Sequence, residues 1–327
     1  MRVLVLGGTG FVGRAVAEAA VARGDQVTVL NRGHRPALAG VRALVGDRLA
    51  GDGLAALGDG SWDAIVDTWS GDPAAVRSAA SALTGRAGHY TYVSSRSVYA
   101  EGATPPLNED NPVVEPDTEF RYAGQKRGGE LAAEQEFAGP VLLGRAGLIL
   151  GPYEDIGRLP WWLTRLARGG PTLAPGPAEL PLQYIDVRDL AIFLLDAAAR
   201  GLAGPFNLVS VPGHTTMGEL LETANEITGG RADLRWTPPQ VILDAGIEPW
   251  TELPVWLPPE SAEYALLHRG DVTKALAAGL RMRPVRDTLA DTWAWMREIG
   301  GAPAQRADRP RSGLDPAKEA ALLAEQE

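Results

Sequence analysis

Short apolar runs alternate with helix-like segments through the first half of the chain. The apolar runs predict strands at residues 2–6, Gln26–Leu30, Val41–Val45, Trp62–Asp67, His89–Ser94 and Val141–Arg145. The segments between them predict helices over Phe11–Arg23, Pro73–Leu83 and Glu119–Phe137. Alternation of this kind places helices on both faces of a parallel sheet, so we expect an α/β fold with a doubly wound parallel sheet.

A glycine-rich turn follows the first apolar run. Gly8-x-Gly10-x-x-Gly13 fits one dinucleotide-binding spacing, and Gly7-x-x-Gly10-x-x-Gly13 fits a second spacing laid over it. Glycine permits the tight turn and lets the backbone approach a pyrophosphate at the N-terminus of the next helix. The strand–turn–helix context favours a Rossmann-type nucleotide site over a turn that binds nothing. The residues expected to line it are Gly7, Thr9, Gly10, Phe11, Val12 and Gly13.

The pattern becomes looser after residue 151. Trp161–Ala167 predicts a helix, Gly169–Pro181 a loop rich in Gly and Pro, and Tyr184–Ala199 a strand-like start followed by a helix; Phe206–Ser210 predicts one more strand. We therefore expect a dinucleotide-binding domain at 1–151 and 182–210, and a smaller C-terminal substrate-binding domain at 152–181 and 211–299. Residues 300–327 are expected to form a polar linker and a last helix that begins at Asp315-Pro316.

Composition narrows the possible functions. The net charge of −10 disfavours binding to nucleic acid, and the absence of cysteine excludes thiolate metal sites and a cysteine nucleophile. The four histidines are scattered without ligand spacing, so no metal site is expected. No apolar run approaches the length of a membrane span, and the N-terminal run is too short for a signal peptide. We expect a cytoplasmic protein with a small-molecule substrate.

Tyr122 and Lys126 form the main candidate for catalysis. Their spacing of four places both side chains on one face of a helix, where the ammonium lowers the pKa of the phenol and fits it for acid–base chemistry. Ser95 follows the fifth predicted strand, at the sheet edge where ligands bind, and can polarise a substrate carbonyl. Taken singly, the pair also fits an exposed helix surface and the serine fits an ordinary turn. Their occurrence together after a glycine motif favours an active site.

With these motifs the chain resembles the extended branch of the short-chain dehydrogenase/reductase superfamily, also called the NAD-dependent epimerase/dehydratase family. The resemblance rests on the glycine spacing, on Ser94–Tyr99, on Tyr122 with Lys126, and on two later segments, Arg145–Pro152 and Tyr184–Ala191. A looser resemblance points to bacterial isoflavone-reductase-like oxidoreductases and to plastid RNA-binding relatives. The family implies that Tyr122 exchanges a proton with the substrate, that Lys126 also holds the nicotinamide ribose, and that Ser95 polarises the carbonyl.

The residues after the second predicted strand indicate which nicotinamide cofactor, NAD or NADP, the protein prefers. Asn31, Arg32 and Arg35 stand where an acidic residue would select NAD, and an arginine suits the 2′-phosphate of NADP. We therefore expect NADP(H) to be preferred, with NAD(H) possible; the arginines also fit an exposed loop. By the same resemblance, Asp47 is expected near adenine and Thr68 near the cofactor.

Departures from the family pattern bear on the reaction. Arg96-Ser97 replaces the acidic pair of sugar dehydratases, and Gly147 and Leu182–Tyr184 replace residues that hold the diphosphate of a nucleotide sugar. These changes favour an oxidoreductase acting on a small carbonyl, alcohol or imine rather than on a nucleotide sugar. Arg96, Trp161 and Trp250 are the candidate substrate contacts. The alternatives are an epimerase with tightly bound cofactor and a non-catalytic nucleotide-sensing or RNA-binding protein. The family also implies a possible homodimer.

Overall fold

The computed structural model describes residues 1–116 and 122–325. Its strands are β1 (Arg2–Leu6), β2 (Gln26–Asn31), β3 (Val41–Val45), β4 (Ala64–Asp67), β5 (Tyr90–Ser95), β6 (Val141–Ala146), β7 (Leu148–Leu150), β8 (Gly170–Pro175), β9 (Pro181–Leu182), β10 (Tyr184–Asp186), β11 (Gly204–Leu208), β12 (Thr215–Thr216) and β13 (Ala232–Thr237). Its helices are α1 (Phe11–Ala22), α2 (Ala74–Leu83), α3 (Tyr122–Glu136), α4 (Arg158–Arg168), α5 (Val187–Ala199), α6 (Met217–Thr228), α7 (Pro239–Asp244), α8 (Ala262–His268), α9 (Thr273–Ala277), α10 (Val285–Glu298) and α11 (Pro316–Ala324).

Seven parallel strands form the main sheet, in the order β11-β6-β5-β4-β1-β2-β3. The predicted α/β fold of the Rossmann type is confirmed, including the order 3-2-1 on one side of β4. The strand expected at Phe206–Ser210 is β11, which begins and ends two residues earlier. The predicted start of the third helix, at Glu119, lies outside the described residues.

Helices cover both faces of this sheet. Leu4 and Leu6 point to one face and pack with residues of α2 and α3, while Val3 and Val5 point to the other face and are equally buried. On the second side α1 packs against α5. A parallel sheet buried on both faces needs near-continuous apolar strands, which is the pattern that the sequence shows.

The chain divides into two compact units. The first contains residues 1–147, 187–209 and 270–281, and the second contains 148–186, 210–269 and the chain from Met282 onward. The units differ from the expected domains chiefly at 270–281, which the sequence analysis placed in the substrate domain. Asp271 donates its backbone N–H to the Leu107 carbonyl at 2.9 Å, and Lys274 reaches the Pro205 carbonyl at 2.7 Å. These contacts between distant parts of the chain place the segment in the first unit.

The second unit has its own apolar core and three two-stranded sheets, β7 with β10, β8 with β13, and β9 with β12. The prediction of a loop over Gly169–Pro181 was wrong for its first part. Strand β8 pairs in parallel with β13, and its central residues Thr172, Leu173 and Ala174 are buried. The Gly and Pro residues on either side of Thr172–Ala174 are typical of a loop, so the short buried centre of the strand was not recognised in the sequence. The partner strand begins 57 positions after Pro175, so the pairing is non-local.

The last helix belongs to the second unit and begins where it was predicted. The Asp315 carboxylate caps α11 by accepting the backbone N–H groups of Ala317 and Lys318. Within this unit, Arg165 on α4 donates through Nε to both carboxylate oxygens of Glu319, at 3.0 and 2.7 Å. The buried ion pair therefore fixes α11 against α4. In the described part of the chain, no helix is long and apolar enough to cross a membrane.

Candidate active site

The glycine turn after β1 has little room for side chains. Gly7 has φ +99°, and a Cβ there would lie 2.5 Å from the Thr68 hydroxyl oxygen. A Cβ on Gly13 would lie 2.4 Å from the Gly7 carbonyl oxygen. Gly10 is the N-cap of α1 in extended conformation, and the nearest atom to a Cβ there would be the Gly7 carbonyl oxygen at 3.9 Å, an ordinary contact distance. The turn therefore packs tightly on its inner side and leaves the helix N-terminus accessible to an anion.

The other predicted cofactor residues gather at the same edge of the sheet, at the carboxyl ends of β1 to β4. Asn31 ends β2, and its side-chain oxygen accepts the Gly33 N–H at 2.7 Å. Arg35 donates to the Thr9 carbonyl at 3.2 Å, which links this loop to the glycine turn. Arg32 and Asp47 are exposed. Thr68 donates its hydroxyl to the Leu6 carbonyl at 3.0 Å.

Lys126 is buried between the ends of two strands. Its ammonium donates to the Trp69 carbonyl at 2.6 Å, just beyond β4, and to the Val93 carbonyl at 2.7 Å in β5. It also lies 4.9 Å from the centre of the Tyr92 ring. The side chain is only 3% exposed. Charge-assisted bonds of this length hold the ammonium in one place beside the sheet edge.

The two serines at the end of β5 have different roles. Ser94 is buried and donates to Glu130 at 2.7 Å, and Glu130 also pairs with Arg145 through Nε at 3.0 Å. Ser95 caps the single helical turn at residues 96–98, because its hydroxyl oxygen accepts the Ser97 N–H at 3.2 Å. The Ser94 hydroxyl thus forms part of a buried ion-pair network, and Ser95 is the candidate hydroxyl for substrate binding at the end of β5.

Tyr122 is the first described residue of α3, one turn before Lys126. Its side chain is 38% exposed, unlike the other tyrosines of this region. Tyr92, by contrast, is buried in the sheet. Burial raises the pKa of Tyr92 well above 10, and the charges of Asp67 and Tyr122 raise it further. Tyr92 is buried and stays protonated, so Tyr122 is the accessible phenol one helical turn from Lys126.

Sequence reasoning missed a buried ion pair behind Lys126. Arg48 donates through Nη1 and Nη2 to the two Asp67 oxygens, at 2.6 and 2.7 Å. Asp67 in turn accepts the backbone N–H of Trp69 at 2.9 Å and the Tyr90 hydroxyl at 2.5 Å. The available signal was a charged residue at or beyond the carboxyl end of each of two strands, Arg48 three residues after β3 and Asp67 at the end of β4, because the carboxyl ends of parallel strands lie along one edge of the sheet. Strands β1 and β2 lie between these two strands in the sheet, so the sequence did not pair the two residues.

The three candidate substrate residues are divided between the two units. Arg96 lies in the first unit and is fully buried; burial lowers its pKa to about 10, so it keeps its charge at neutral pH. Trp161 and Trp250 lie in the second unit. The Trp161 ring packs edge-on against Trp162, and Arg158 lies 5.0 Å from the centre of the Trp250 ring. Trp250 also has φ +64°.

Comparison with known proteins agrees with this architecture. Residues 3–208 match the model of the NAD dependent epimerase/dehydratase family, which is more than half of the chain. The chain therefore belongs to that family. A comparison with curated protein sequences gave no significant match.

Several solved structures share the fold. The enzyme WbmH of Bordetella bronchiseptica in complex with NAD+ is 20% identical, with 91% of this chain and 99% of that chain covered and a TM-score of 0.67. The UDP-N-acetylglucosamine 4-epimerase of Bacillus cereus is 17% identical, with 91% and 99% covered and a TM-score of 0.68. The UDP-glucose 4-epimerase of Thermotoga maritima, solved with UDP-glucose, is 18% identical, with 91% and 99% covered and a TM-score of 0.67. At these identities the likeness is one of fold. The narrower resemblance to isoflavone-reductase-like proteins stays a prediction.

Proposed function

We propose that this member of the NAD dependent epimerase/dehydratase family is a nicotinamide-dependent oxidoreductase with Tyr122 as its acid–base group. The observation that carries the proposal is the buried Lys126 ammonium, held by the Trp69 and Val93 carbonyls one helical turn from the accessible Tyr122 phenol. Ser95 lies at the end of the strand that contains Val93. A phenol, an ammonium and a hydroxyl gathered at a sheet edge suit proton transfer to or from a carbonyl oxygen.

The residues present fit a dinucleotide. A Cβ on Gly7 or Gly13 would collide with its surroundings, whereas Gly10 leaves the N-terminus of α1 accessible, which is the arrangement a pyrophosphate needs. Thr9, Phe11 and Val12 would contribute the adjoining backbone. When bound, the nicotinamide would supply hydride transfer. WbmH, which shares the fold, was solved with NAD+.

The chain's own groups have distinct tasks in this scheme. Tyr122 gives a proton to the substrate oxygen during reduction, or takes one during oxidation. Lys126, one helical turn from that phenol, would bind the nicotinamide ribose. Ser95 donates a hydrogen bond to the substrate oxygen and keeps it oriented. The charge developing on the oxygen is thereby met by donors that were positioned before the reaction.

The proposed substrate is a small carbonyl, alcohol or imine compound. Gly147 supports this choice, because a Cβ there would lie 2.6 Å from Val209 Cγ2, so any larger residue would have to displace that side chain. Gln183 is buried and donates to the Ser210 carbonyl at 2.6 Å. Neither position therefore offers an obvious diphosphate ligand. Arg96, Trp161 and Trp250 remain the proposed substrate contacts.

NADP(H) is the proposed cofactor, with NAD(H) as the alternative. Arg32 is exposed directly after β2, and Arg35 is linked to the glycine turn through the Thr9 carbonyl. Asn31 carries no charge that would repel a 2′-phosphate. Asp47, after β3, would lie near the adenine, and Thr68, after β4, would lie near the cofactor. A cytoplasmic location and a homodimer also remain proposals.

Tyr122→Phe is the direct test of this function. It keeps the ring and removes the proton, so turnover should fall by about 10²–10⁴ while cofactor affinity is kept. Lys126→Ala should lose both turnover and cofactor affinity, and Ser95→Ala should lose turnover alone. A panel of carbonyl compounds monitored by NADPH absorbance provides the assay, and isothermal titration provides the affinity. Wild-type turnover by Tyr122→Phe on a genuine substrate would refute the role of Tyr122 as the acid–base group and, with it, the proposed mechanism.

A second candidate is an epimerase that retains its nicotinamide. The family match and the UDP-sugar 4-epimerases that share the fold favour it. The same Tyr122 would then serve an oxidation and a reduction within one turnover, with no net consumption of cofactor. Purified protein should carry stoichiometric nicotinamide and interconvert UDP-glucose and UDP-galactose. Cofactor-free protein that consumes NADPH with a carbonyl substrate would exclude this alternative.

A further inference from the structure

Two carbonyls hold Lys126, and they differ in what supports them. Val93 lies inside β5, where its neighbours pair with β6 and the ladder fixes the peptide. Trp69 lies two residues beyond the end of β4, outside the ladder. A carbonyl outside regular structure needs another constraint if it is to hold an ammonium at 2.6 Å.

Asp67 supplies that constraint. Its carboxylate is fully buried and accepts the Trp69 N–H at 2.9 Å, so the residue whose carbonyl binds Lys126 is tied to the last residue of the strand. Arg48 donates hydrogen bonds to both oxygens of the carboxylate, and the Tyr90 hydroxyl donates one more. A carboxylate with this many donors has one orientation.

Arg48 also constrains Trp69 directly. Its guanidinium carbon lies 5.3 Å from the centre of the Trp69 ring, and its Nη2 donates to the Ala75 carbonyl at 2.8 Å, next to the start of α2. The Trp69 indole donates to the Asp72 carbonyl at 2.8 Å. Trp69, whose carbonyl binds Lys126, is therefore held through its backbone N–H and through its indole ring.

We propose that the buried Arg48–Asp67 ion pair positions Lys126 by fixing the Trp69 carbonyl. Asp67 accepts the Trp69 N–H, and Lys126 donates to the Trp69 carbonyl, so the pair acts on the lysine through the backbone of Trp69. Its importance for turnover rests on the proposed function, whereas its effect on the placement of Lys126 does not. Arg48 and Asp67 are positioning residues in this sense.

The lysine content makes the placement measurable. The chain has three lysines, Lys126, Lys274 and Lys318, and the last two are more exposed than the first. Acetylation of the cofactor-free protein, followed by peptide mass spectrometry, gives a rate for each amine. Lys126 should be the slowest in the wild-type protein, because it reacts only when its carbonyl partners release it.

The test variant is Arg48→Met with Asp67→Leu, which removes both charges and leaves neither one buried alone. Acetylation of Lys126 should become faster by about tenfold or more, with Lys274 and Lys318 unchanged. Trp69→Phe is the milder variant for the case in which the double variant does not fold. It keeps the peptide and loses the indole bond, so it should accelerate Lys126 by a smaller factor, about threefold.

Arg86→Met is the matched control at the opposite end of β4. Arg86 donates to the Leu57, Gly58 and Gly60 carbonyls and lies 5.7 Å from the Trp62 ring, so it is also an arginine on a tryptophan beside the same strand. This control should leave the Lys126 rate unchanged. Unchanged acetylation in a folded double variant, or in Trp69→Phe if the double variant does not fold, would overturn the proposal. Equal acceleration by Arg86→Met would do the same.

Turnover separates this proposal from the proposed function. With a substrate identified, the double variant should lose turnover in step with the faster acetylation of Lys126, while Arg86→Met keeps turnover. If Tyr122→Phe stays active, the proposed function fails, yet the acetylation result still decides whether Arg48 and Asp67 place Lys126.

Discussion

Glu154 gives a prediction about stability that can be worked from the structure. The side chain is fully buried at the start of α4, where its two oxygens accept the backbone N–H groups of Arg158 at 2.9 Å and Leu159 at 3.2 Å. Burial raises its pKa to about 7, although the charge of Arg158 and these two bonds lower it. Glu154→Gln has nearly the same shape and cannot ionise, so it removes the titration.

The sign and size follow from proton linkage. The unfolded carboxyl has the ordinary value of 4.5, so between pH 4.5 and 7 the folded state binds more protons than the unfolded state. The contribution of Glu154 to the free energy of unfolding therefore falls as pH rises through this window. At 1.36 kcal/mol per pKa unit the full change is about 3 kcal/mol, and it is complete above pH 7.

Urea unfolding at several pH values measures this effect. The stability of Glu154→Gln relative to wild type should rise by about 3 kcal/mol between pH 4.5 and 8. Glu179→Gln is the control, since Glu179 is an exposed residue of the same unit. A stability difference that does not change with pH would refute the reasoning and show that the buried carboxyl is already ionised at low pH.

Three further predictions concern the glycine turn, cofactor choice and the last helix. Gly13→Ala should weaken cofactor binding in a titration by about tenfold or more, because its Cβ would lie 2.4 Å from the Gly7 carbonyl; Gly24→Ala, whose Cβ meets open space, is the control for helix-end strain. Arg32→Ala should weaken NADPH about tenfold or more and NADH little, and equal losses would show that Arg32 does not bind the phosphate. Arg165→Met should cost about 3 kcal/mol in urea unfolding, because it removes the nearer of the two arginines that pair with the buried Glu319 carboxylate and leaves Arg168 at 3.8 Å; an unchanged midpoint would contradict the assigned role of the pair.

The sequence was informative wherever structure depends on local pattern. Apolar runs at strand length gave the six strands of the first half, because a parallel sheet covered on both faces accepts few polar residues. The glycine spacing gave the turn after β1, because positive φ and close packing exclude a side chain at Gly7. Asp315 before Pro316 gave the start of α11, because capping is a contact between near neighbours in the chain.

Contacts between distant residues were decided by the tertiary structure. The sequence could not pair Gly170–Pro175 with β13, or place residues 270–281 in the first unit, because neither contact leaves a periodic signal. It presented Tyr122, Lys126 and Ser95 as candidates, but not the carbonyls of Trp69 and Val93 that bind the ammonium. For the same physical reason, the sequence did not predict the ion pair between Arg48 and Asp67. Strands β1 and β2 separate β3 from β4 in the sheet, and only the folded chain brings Arg48, in the loop after β3, to Asp67 at the end of β4.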